Sequence, residues 1–437
     1  MLSLEPGTPN GAANGVANGK ANGNGPHSSS LNGASIPYIP LAYDGAEPDS
    51  SPRRLIFALR PDWAADDSNL ELIRFTDGIT NTLLKAVNRR PGLTAQQVDS
   101  DAILLRAYGN GTDVLIDRLR ETQNHELLMH HGLAPELLAR FQNGMLYRYI
   151  PGKVTSPADL RTRPIYRAVA KRLAQWHAVV PCIHDSDSPM AKGVKAQPLV
   201  DQVAPSKPRP NVWTVMQKWI LALPTTTDAQ RTRQAELQAE LARLVLEFSQ
   251  RPGLGKNGLV FAHCDLLSGN VIIEPESVPA KATANGNGCS SVSVNFIDYE
   301  YATPSPAAFD IANHLAEWGG FDCDFSVLPT VSQRTEFIRE YIHSYFSLVA
   351  DKPADLDEEA EVSKLCAEVD HFRGVPGFYW GIWALIQATI SDIDFDYAAY
   401  AEVRLGEHSA WRDELSGSRE KQGKEMPLRE RRWAQLE

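Results

Sequence analysis

The chain lacks the sequence features of several protein classes. It has no G-x-x-x-x-G-K-[ST] loop, which excludes a P-loop nucleotide site. Its five cysteines are scattered and include no C-x-x-C pair, so neither a disulfide framework nor a zinc site is expected. No basic segment followed by an apolar run marks a secretion signal, and the longest apolar stretch, 378–390, is too short to span a bilayer.

Positive charge is also scarce, with 43 basic residues against 54 acidic ones and a formal net charge of −11. A nucleic-acid-binding protein would carry a basic stripe or patch, so no nucleic-acid partner is expected. Together with the absence of a signal and of a membrane span, this composition predicts a cytoplasmic protein without membrane insertion.

What the chain does contain divides it into three regions. Residues 1–35 consist mainly of Asn, Gly, Ala and Ser and are predicted to be a disordered tail, because such a segment cannot bury enough apolar surface to offset its ordering entropy. Residues 36–150 read as a small β-rich lobe with one embedded helix at 117–131. Its strands are predicted at 55–59, 72–76, 83–88, 102–108, 114–116, 137–141 and 145–149.

The apolar period changes from two to about 3.6 after residue 150, which predicts a large, mainly helical lobe over 151–437. Its helices are predicted at 157–179, 211–221, 228–251, 305–318, 330–349, 355–371, 375–391 and 396–415, and its three strands at 259–262, 271–274 and 292–297. The Ala-, Asn- and Gly-rich segment 279–291 is predicted to be a flexible insert between the last two strands. The fold class is therefore α+β and bilobal, with a ligand cleft between the lobes.

The strongest motif is HCDLLSGN at 263–270, which has the H-x-D-x-x-x-x-N spacing of kinase catalytic loops. Phosphoryl transfer needs a carboxylate, Asp265, to accept the proton of the substrate hydroxyl or to orient it. It also needs an oxygen ligand for a metal ion, which the amide of Asn270 supplies. His263 is expected to pack beneath the loop and hold its backbone. Taken alone, the motif is also compatible with a turn that uses Asp and Asn for local hydrogen bonds.

A second motif, NFIDYE at 295–300, is an apolar strand that ends in two carboxylates. A kinase places its second metal ligand at this point, and Mg²⁺ prefers hard oxygen ligands together with phosphates. Asp298 is therefore predicted to bind Mg²⁺, and Glu300 to bind it directly or through water. The two motifs in this order predict ATP-dependent phosphoryl transfer on a protein-kinase-like fold, with ATP and Mg²⁺ as cofactors.

The small lobe offers candidate phosphate contacts. Segment 76–81 could curl over the phosphates through backbone N–H groups and side chains of Gly78, Thr80 and Asn81. Arg106 is a cation on an otherwise apolar strand, where a kinase presents its phosphate-contacting lysine. An edge-strand charge facing solvent is the alternative for Arg106. Its acidic partner on the following helix is left open between positions 121 and 126. The GLGKNG segment at 253–258 follows a helix and precedes a strand, so it is predicted to be an ordinary loop.

Three segments resemble the choline/ethanolamine kinase family: FIDYEYA at 296–302, AFDIANHLAEW at 308–318 and FYWGIWALIQA at 378–388. The resemblance extends over about residues 72–411. The Val-Ala-Ile-Lys and Asp-Phe-Gly patterns of protein kinases are absent. Two positions depart from the family pattern, namely Leu267, where choline kinases commonly carry Gln, and Asp77, where a Gly-Gly loop would begin.

The resemblance implies a role for each matching residue. Asp265 is the catalytic base, Asn270 and Asp298 are metal ligands, and Thr80, Asn81 and Arg106 contact the nucleotide phosphates. Tyr149 and Ile150 would contact adenine, and Glu317 would lie near the substrate cation. The aromatic wall of the amino-alcohol pocket would comprise Trp380, Trp383, Phe395, Tyr397 and Tyr400.

The choice of amino alcohol follows from hydrogen bonding. A primary ammonium donates three hydrogen bonds and gains from nearby acids, whereas a quaternary ammonium needs a full aromatic cage. The acids at 317, 394 and 396, with the segments IDYEY and IDFD, resemble the ethanolamine branch. Ethanolamine phosphorylation, the entry step to phosphatidylethanolamine synthesis, is therefore favoured. A choline or dual-specificity kinase, an aminoglycoside-type phosphotransferase and an inert kinase-fold binding protein are the alternatives, and homodimer formation is left open.

Overall fold

The computed structural model describes residues 36–75, 81–109, 111–182, 207, 210–275, 292–391 and 393–437. The predicted disordered tail, residues 76–80 of the predicted phosphate loop, and the predicted insert at 279–291 lie outside the described residues. The elements that follow all belong to the unit Pro37–Glu437.

A six-stranded sheet forms the N-terminal part of this unit. Its strands are β1 (Tyr38–Ile39), β2 (Leu70–Phe75), β3 (Asn81–Asn88), β4 (Ile103–Tyr108), β5 (Leu137–Phe141) and β6 (Gly144–Arg148), in the order β1-β5-β6-β4-β3-β2. All neighbours are antiparallel except β1 and β5. Arg106 pairs with Leu83 on one side and Met145 on the other, so it lies on an interior strand and the edge-strand alternative is wrong.

Three helices accompany the sheet: α1 (Ser50–Leu59), α2 (Ala95–Asp101) and α3 (Arg118–His130). The predicted helix at 117–131 is confirmed, and Asp117 caps it by accepting a hydrogen bond from the Arg120 N–H. The predicted strand at 55–59 is wrong, since those residues form the end of α1. A short apolar run fits a strand or a buried helix equally well, and here Leu55 and Ile56 are fully buried against the sheet. The predicted strand at 114–116 is also wrong, because 112–114 form a 3₁₀ turn.

Helices dominate the C-terminal part, as predicted. They are α4 (Pro157–Leu160), α5 (Arg163–Val179), α6 (Val212–Ala222), α7 (Asp228–Phe248), α8 (Ala307–Ala316), α9 (Val331–Leu348), α10 (Glu358–Phe372), α11 (Val375–Ile390), α12 (Tyr397–Leu415), α13 (Ser418–Lys421) and α14 (Leu428–Ala434). The predicted helix at 157–179 is two helices, because Pro164 has no N–H to donate to residue 160 and is tolerated only in the first turn of a new helix. Helices α13 and α14 were not predicted. In the described part of the chain, no helix has the length and hydropathy needed to cross a membrane.

Five short strands position the two motif loops: β7 (Lys153–Val154), β8 (Val260–Ala262), β9 (Val271–Ile273), β10 (Val294–Phe296) and β11 (Thr303–Ser305). The two strands predicted on either side of the 279–291 insert are confirmed, and they pair as antiparallel β9 and β10 with Val271 opposite Phe296. The Ile297 N–H then donates to the Asn270 carbonyl oxygen over 3.0 Å. This register places Asp298 beside Asn270, although the two are far apart in sequence.

Helices α11 and α12 pack against each other at a glycine. A Cβ atom on Gly377 would lie 2.6 Å from the backbone oxygen of Arg404, which is closer than real Cβ contacts come. Glycine therefore permits a backbone approach that a larger residue would prevent. The close approach brings Trp380 and Trp383 of α11 and Tyr400 of α12 to the same cavity.

Candidate active site

One open cleft of about 1710 Å³, including its mouth, brings most of the predicted site residues together. The predicted residues that line it are Arg106, Tyr149, Ile150, Asp265, Asn270, Asp298, Glu300, Glu317, Trp380, Trp383 and Tyr400. They come from the N-terminal sheet, from the loops after β8 and β10, and from the helical part. The cavity volume within this cleft is about 420 Å³, which lies within the range of about 300–1,000 Å³ typical of pockets for small molecules and cofactors.

Asp265 lines the cleft and is buried. The Asn270 side-chain amide donates to the Asp265 backbone oxygen over 2.7 Å and to Oδ2 over 3.1 Å. The other carboxylate oxygen, Oδ1, is buried and accepts no hydrogen bond from any residue that the structure describes. Burial, reinforced by the nearby carboxylates Asp298 and Glu317, raises the pKa of Asp265 well above its ordinary value. A carboxylate with an unpartnered oxygen and a raised pKa is suited to accept a proton.

The backbone just before Asp265 is anchored by hydrogen bonds to a buried carboxylate. Asp310 accepts hydrogen bonds from the N–H groups of His263 over 2.9 Å and Cys264 over 2.8 Å. His177 contacts the same carboxylate over 2.9 Å. Although burial opposes ionisation, the hydrogen bond and charge of His177 hold the pKa of Asp310 below its ordinary value. Cys264 has a φ of 62°, a conformation that costs a non-glycine residue free energy and is retained here by these contacts.

His263 supports the loop as predicted. Its Nδ1 accepts from the Asp265 N–H over 3.3 Å, and its Nε2 lies 3.0 Å from the Ile297 carbonyl oxygen. The first contact assigns the proton to Nε2, so that the ring joins the two motif loops as a neutral imidazole. Burial lowers the pKa of His263 to about 4, which agrees with a neutral ring.

Helix α8 fixes two further peptide units of the catalytic loop. Asn313 donates to the Cys264 carbonyl oxygen over 2.9 Å, and the His314 Nδ1 contacts the Leu266 carbonyl oxygen over 2.8 Å. The Trp380 indole N–H donates to Asn313 Oδ1 over 2.8 Å and so sets the orientation of the amide. Sequence reasoning did not assign these roles. The available signal was polar residues at 310, 313 and 314 on an otherwise apolar helix, a spacing that puts them on one face.

An ion-pair cluster occupies the sheet side of the cleft. The guanidinium of Arg106 lies 3.1 Å from Glu121 and 2.7 Å from Asp298, and it also contacts Glu300. Glu121 is therefore the helix partner of Arg106, which resolves the open choice between positions 121 and 126. Burial raises the pKa of Glu121, while its ion pairs with arginine act in the opposite direction.

Glu300 is held by several donors. Arg118 lies 3.3 Å from its carboxylate and Asn81 donates to it over 3.0 Å, in addition to the contact from Arg106. Arg118 also pairs with Glu121 over 3.0 Å, so the two arginines and two glutamates form one network. Sequence reasoning missed Arg118. The signal was an arginine three residues before Glu121, in the first turn of α3.

The oxygen donors of Asn270, Asp298 and Glu300 fit a magnesium–nucleotide site. Asp298 has a φ of 65° and a side chain about 25% exposed, so it presents its carboxylate at the cleft surface. Among the described residues, no group of three His, Cys, Asp or Glu side chains could hold a metal ion alone. Such a site suits Mg²⁺, which is commonly bound by one or two carboxylates together with substrate phosphates.

The opposite end of the cleft combines an acid with aromatic rings. Glu317 is buried, and Arg404 lies 3.2 Å from its Oε1 atom. Trp380 and Trp383 are three residues apart on α11, and their rings meet edge to face at 5.5 Å. Tyr400 also lines this end of the cleft and extends its aromatic wall. A negative carboxylate beside aromatic faces attracts a small organic cation.

Comparison with known proteins gives this site its context. The sequence model described as choline/ethanolamine kinase matches residues 72–409. The chain belongs to this family. A probable ethanolamine kinase of Nematostella vectensis is 31% identical, with the alignment covering 86% of this chain and 96% of that protein. An ethanolamine kinase of Mus musculus is 32% identical over 83% of this chain and 81% of its own length.

Solved structures of the family have the same fold. An ethanolamine kinase of Plasmodium vivax matches with a TM-score of 0.57 at 24% identity, covering 81% of this chain and 86% of that one. A choline kinase of Cryptosporidium parvum matches with a TM-score of 0.56 at 20% identity, covering 85% of this chain and 97% of that one. The predicted α+β, bilobal, protein-kinase-like fold class is thereby confirmed.

The described cleft lining does not include every predicted site residue. Gly78 and Thr80 are outside the described residues, and Asn81 lies at the start of β3. Tyr397 packs behind Trp383 with ring centroids 5.7 Å apart, and neither it nor Phe395 is part of the cleft lining.

Four aromatic residues of the lining were not predicted, namely Phe75, Tyr147, Tyr301 and Phe321. Tyr301 accepts a hydrogen bond from the Trp383 indole N–H over 2.8 Å, and Phe321 packs edge to face with Phe395. Tyr301 directly follows the acid-x-acid motif, which is the signal that could have assigned it. Nothing in the sequence around Phe321 distinguishes it from an ordinary surface residue.

Proposed function

We propose that this protein transfers the γ-phosphoryl group of ATP to the hydroxyl of ethanolamine, forming phosphoethanolamine and ADP. This is the first step of the CDP-ethanolamine route to phosphatidylethanolamine. The position of Asp265 carries the proposal, since its buried, unpartnered carboxylate oxygen lies in one cleft between the Arg106 cluster and the Glu317 pocket. The relatives named ethanolamine kinases support this choice of substrate.

Asp265 acts as the general base in this proposal. It accepts the proton of the ethanolamine hydroxyl as that oxygen bonds to the γ-phosphorus, while the bond from phosphorus to the β,γ-bridging oxygen breaks and ADP leaves. The hydrogen bonds from Asn270 to Asp265 keep the carboxylate in place. Its raised pKa makes it a stronger base than an exposed aspartate.

The charge that develops on the phosphoryl oxygens is offset by the sheet side of the cleft. Arg106 is held there by Glu121 and needs no reorganisation during the reaction. Asn270 and Asp298 would hold Mg²⁺, with Glu300 contacting it directly or through water. When bound, Mg²⁺ neutralises charge on the β- and γ-phosphates.

Residues of the N-terminal part and of the segment after β6 would contact the nucleotide. Tyr149 and Ile150 would contact adenine, and both line the cleft. Gly78, Thr80 and Asn81 would contact the phosphates. The contact between Asn81 and Glu300 places the beginning of β3 next to the proposed metal ligands.

Recognition of ethanolamine depends on its ammonium group. Glu317 accepts hydrogen bonds from a primary ammonium, and the faces of Trp380, Trp383 and Tyr400 supply cation–π attraction. Phe395 and Tyr397 support this wall from outside the lining. Choline lacks N–H donors and would gain less from Glu317, so we expect it to be the poorer substrate.

The test is an ADP-release assay with Mg²⁺-ATP, in which ethanolamine and choline are compared over the same concentration range. We expect ethanolamine to be favoured at least about tenfold in kcat/KM, which corresponds to about 1.4 kcal/mol of transition-state binding. Asp265→Asn, which keeps the size of the side chain, should lower kcat by about 10²–10⁴. A preference for choline would refute the substrate assignment. Turnover of neither amine would favour an inert binding protein.

Three further predictions accompany this function. The division into lobes at 36–150 and 151–437 should appear as protease-sensitive sites near residue 150. The cytoplasmic location and the homodimer can be checked by cell fractionation and by light scattering of the purified protein. A monomer in solution would contradict only the last of these.

A further inference from the structure

A row of buried charges connects the Glu317 pocket to the last helix of the chain. Arg404 lies 3.2 Å from Glu317 and 3.3 Å from Glu407. Arg429 lies 2.6 Å from the other oxygen of Glu407 and 2.9 Å from Glu430. These five side chains are each between 2% and 5% exposed. Solvent therefore screens the contacts little, and each charge depends on its neighbours.

The signs alternate along this row, and it ends in a third arginine. Arg373 lies 2.8 Å from Glu430, so three acids face three bases. Removing one member would leave a buried neighbour without compensation, which is far more costly than the loss of an exposed pair. The ionisation of Glu317 at one end of the row is thus linked to the charges of Glu430 and Arg373 at the other end.

Arg404 is the member that touches the substrate pocket. Its Nη1 contacts the Glu317 carboxylate and also donates to the Tyr400 hydroxyl over 2.9 Å. Glu317 and Tyr400 both line the cleft. One guanidinium therefore sets the orientation of an acid and of an aromatic wall residue at the same time.

The position of Arg404 is in turn set by Glu407. Arg404 lies at nearly equal distances from the carboxylates of Glu317 and Glu407. Arg429 neutralises the Glu407 carboxylate, which does not face the substrate. Without Arg429, Glu407 would attract Arg404 more strongly and Glu317 would lose its partner. A buried carboxylate without a cation tends to take up a proton, and it then attracts an ammonium less strongly.

Helix α14, which carries Arg429, is docked firmly enough to transmit this effect. Arg432 donates to the Leu328 carbonyl oxygen over 2.7 Å, and Arg334 donates to the Trp433 carbonyl oxygen over 2.9 Å. Trp433 donates to Asp370 over 2.6 Å. These contacts fix the C-terminal end of the helix relative to α9 and α10.

We propose that Arg404 and Arg429 are positioning residues for the substrate ammonium site, and that helix α14 is thereby part of the substrate-binding apparatus. The inference rests on the proposed function, in which Glu317 receives the ammonium of ethanolamine. It goes further by assigning a role in substrate recognition to a helix that does not line the cleft.

The test compares Arg429→Met with Arg431→Met, a control on the same helix whose side chain is 55% exposed and 3.6 Å from Glu425. We expect Arg429→Met to raise KM for ethanolamine about tenfold, while KM for ATP stays within twofold. Arg429→Lys, which keeps the charge, should recover most of the loss, and Arg431→Met should behave as wild type. An ethanolamine KM within twofold of wild type in Arg429→Met would overturn the proposal. A parallel rise of both KM values would do the same, since it would indicate a merely structural role.

A double-mutant cycle separates action through Glu317 from a general effect. If Arg429 acts through Glu317, the double variant Glu317→Gln/Arg429→Met should have nearly the same ethanolamine KM as Glu317→Gln alone. Additive effects would overturn the proposal. An unchanged KM in Glu317→Gln alone would instead refute the proposed function of that residue, so the two failures are distinguishable.

Instability of Arg429→Met does not leave the question open, because Arg404→Lys provides a second test. A lysine ammonium is a single point charge and cannot contact Glu317, Glu407 and Tyr400 together. We expect ethanolamine KM to rise at least fivefold in this variant, with KM for ATP unchanged. A wild-type ethanolamine KM in Arg404→Lys would overturn the proposal.

Discussion

The contact between α11 and α12 at Gly377 provides a sharp test of how the proposed substrate pocket is built. A Cβ added there would lie 2.6 Å from the Arg404 backbone oxygen, whereas a carbon–oxygen contact is normally about 3.3 Å or longer. Gly377→Ala should therefore push the two helices apart by about 0.7 Å. The obstacle is a backbone atom, so rotation of a side chain cannot relieve it.

Gly406 on α12 is a matched control, because a Cβ there meets nothing within 4 Å. Gly→Ala stabilises a helix interior by up to about 1 kcal/mol, and this gain applies to both variants, although less fully in the first turn of α11. The difference in unfolding free energy between the two variants therefore measures the cost of the close contact at Gly377. Overpacking of this kind typically costs about 1–3 kcal/mol. We expect Gly406→Ala to be more stable than wild type, and Gly377→Ala to be less stable than Gly406→Ala by about 1–3 kcal/mol.

The assay is urea unfolding followed by the fluorescence of the nine tryptophans, together with steady-state kinetics. Because the clashing oxygen belongs to Arg404, we expect Gly377→Ala also to raise KM for ethanolamine while KM for ATP changes little. Equal unfolding midpoints for the two alanine variants would refute the reasoning about close approach. A normal ethanolamine KM in a destabilised Gly377→Ala would refute the link to the pocket.

Three further substitutions test the catalytic loop and the phosphate side. Asp310→Asn removes the negative charge that accepts hydrogen bonds from two loop N–H groups. We therefore expect the free energy of unfolding to fall by about 2–5 kcal/mol, and kcat to fall as well. An unchanged midpoint of urea unfolding would contradict this expectation. Trp380→Phe keeps an aromatic face but leaves Asn313 without its indole donor, so we expect a loss of about 1–3 kcal/mol in unfolding free energy and a lower kcat. Steady-state kinetics that match wild type would count against that role. Arg106→Lys cannot reproduce contacts to three carboxylates, so kcat/KM for ATP should fall at least tenfold, and a normal value would remove Arg106 from the phosphate site.

Local patterns in the sequence were sufficient for much of the fold. The 3.6-residue period identified the main helices of the C-terminal part, and residues such as Thr330, which forms a capping box with Gln333, mark where they begin. The period of two identified most strands of the N-terminal sheet. These patterns are local because helix and strand geometry repeat over a few residues.

The chemistry of the site was also readable, because each of its two motifs is a short continuous segment of the sequence. The spacing of Asp265 and Asn270 fits one short loop, and Asp298 ends a strand that pairs with the strand after that loop. The type of reaction therefore follows from the order of two motifs. Residues 55–59 were misjudged because a five-residue apolar run carries too little periodicity to distinguish strand from helix.

Only the tertiary structure decided which distant side chains meet. The pairing of Arg106 with Glu121, the hydrogen bond from the Cys264 N–H to Asp310, and the row of charges from Glu317 to Arg429 join residues of different helices, strands and loops. No local period encodes such contacts, because they depend on how helices and sheets pack after they form. The sequence by itself thus determined most of the elements and the reaction type, and packing determined how the proposed substrate end of the cleft is assembled.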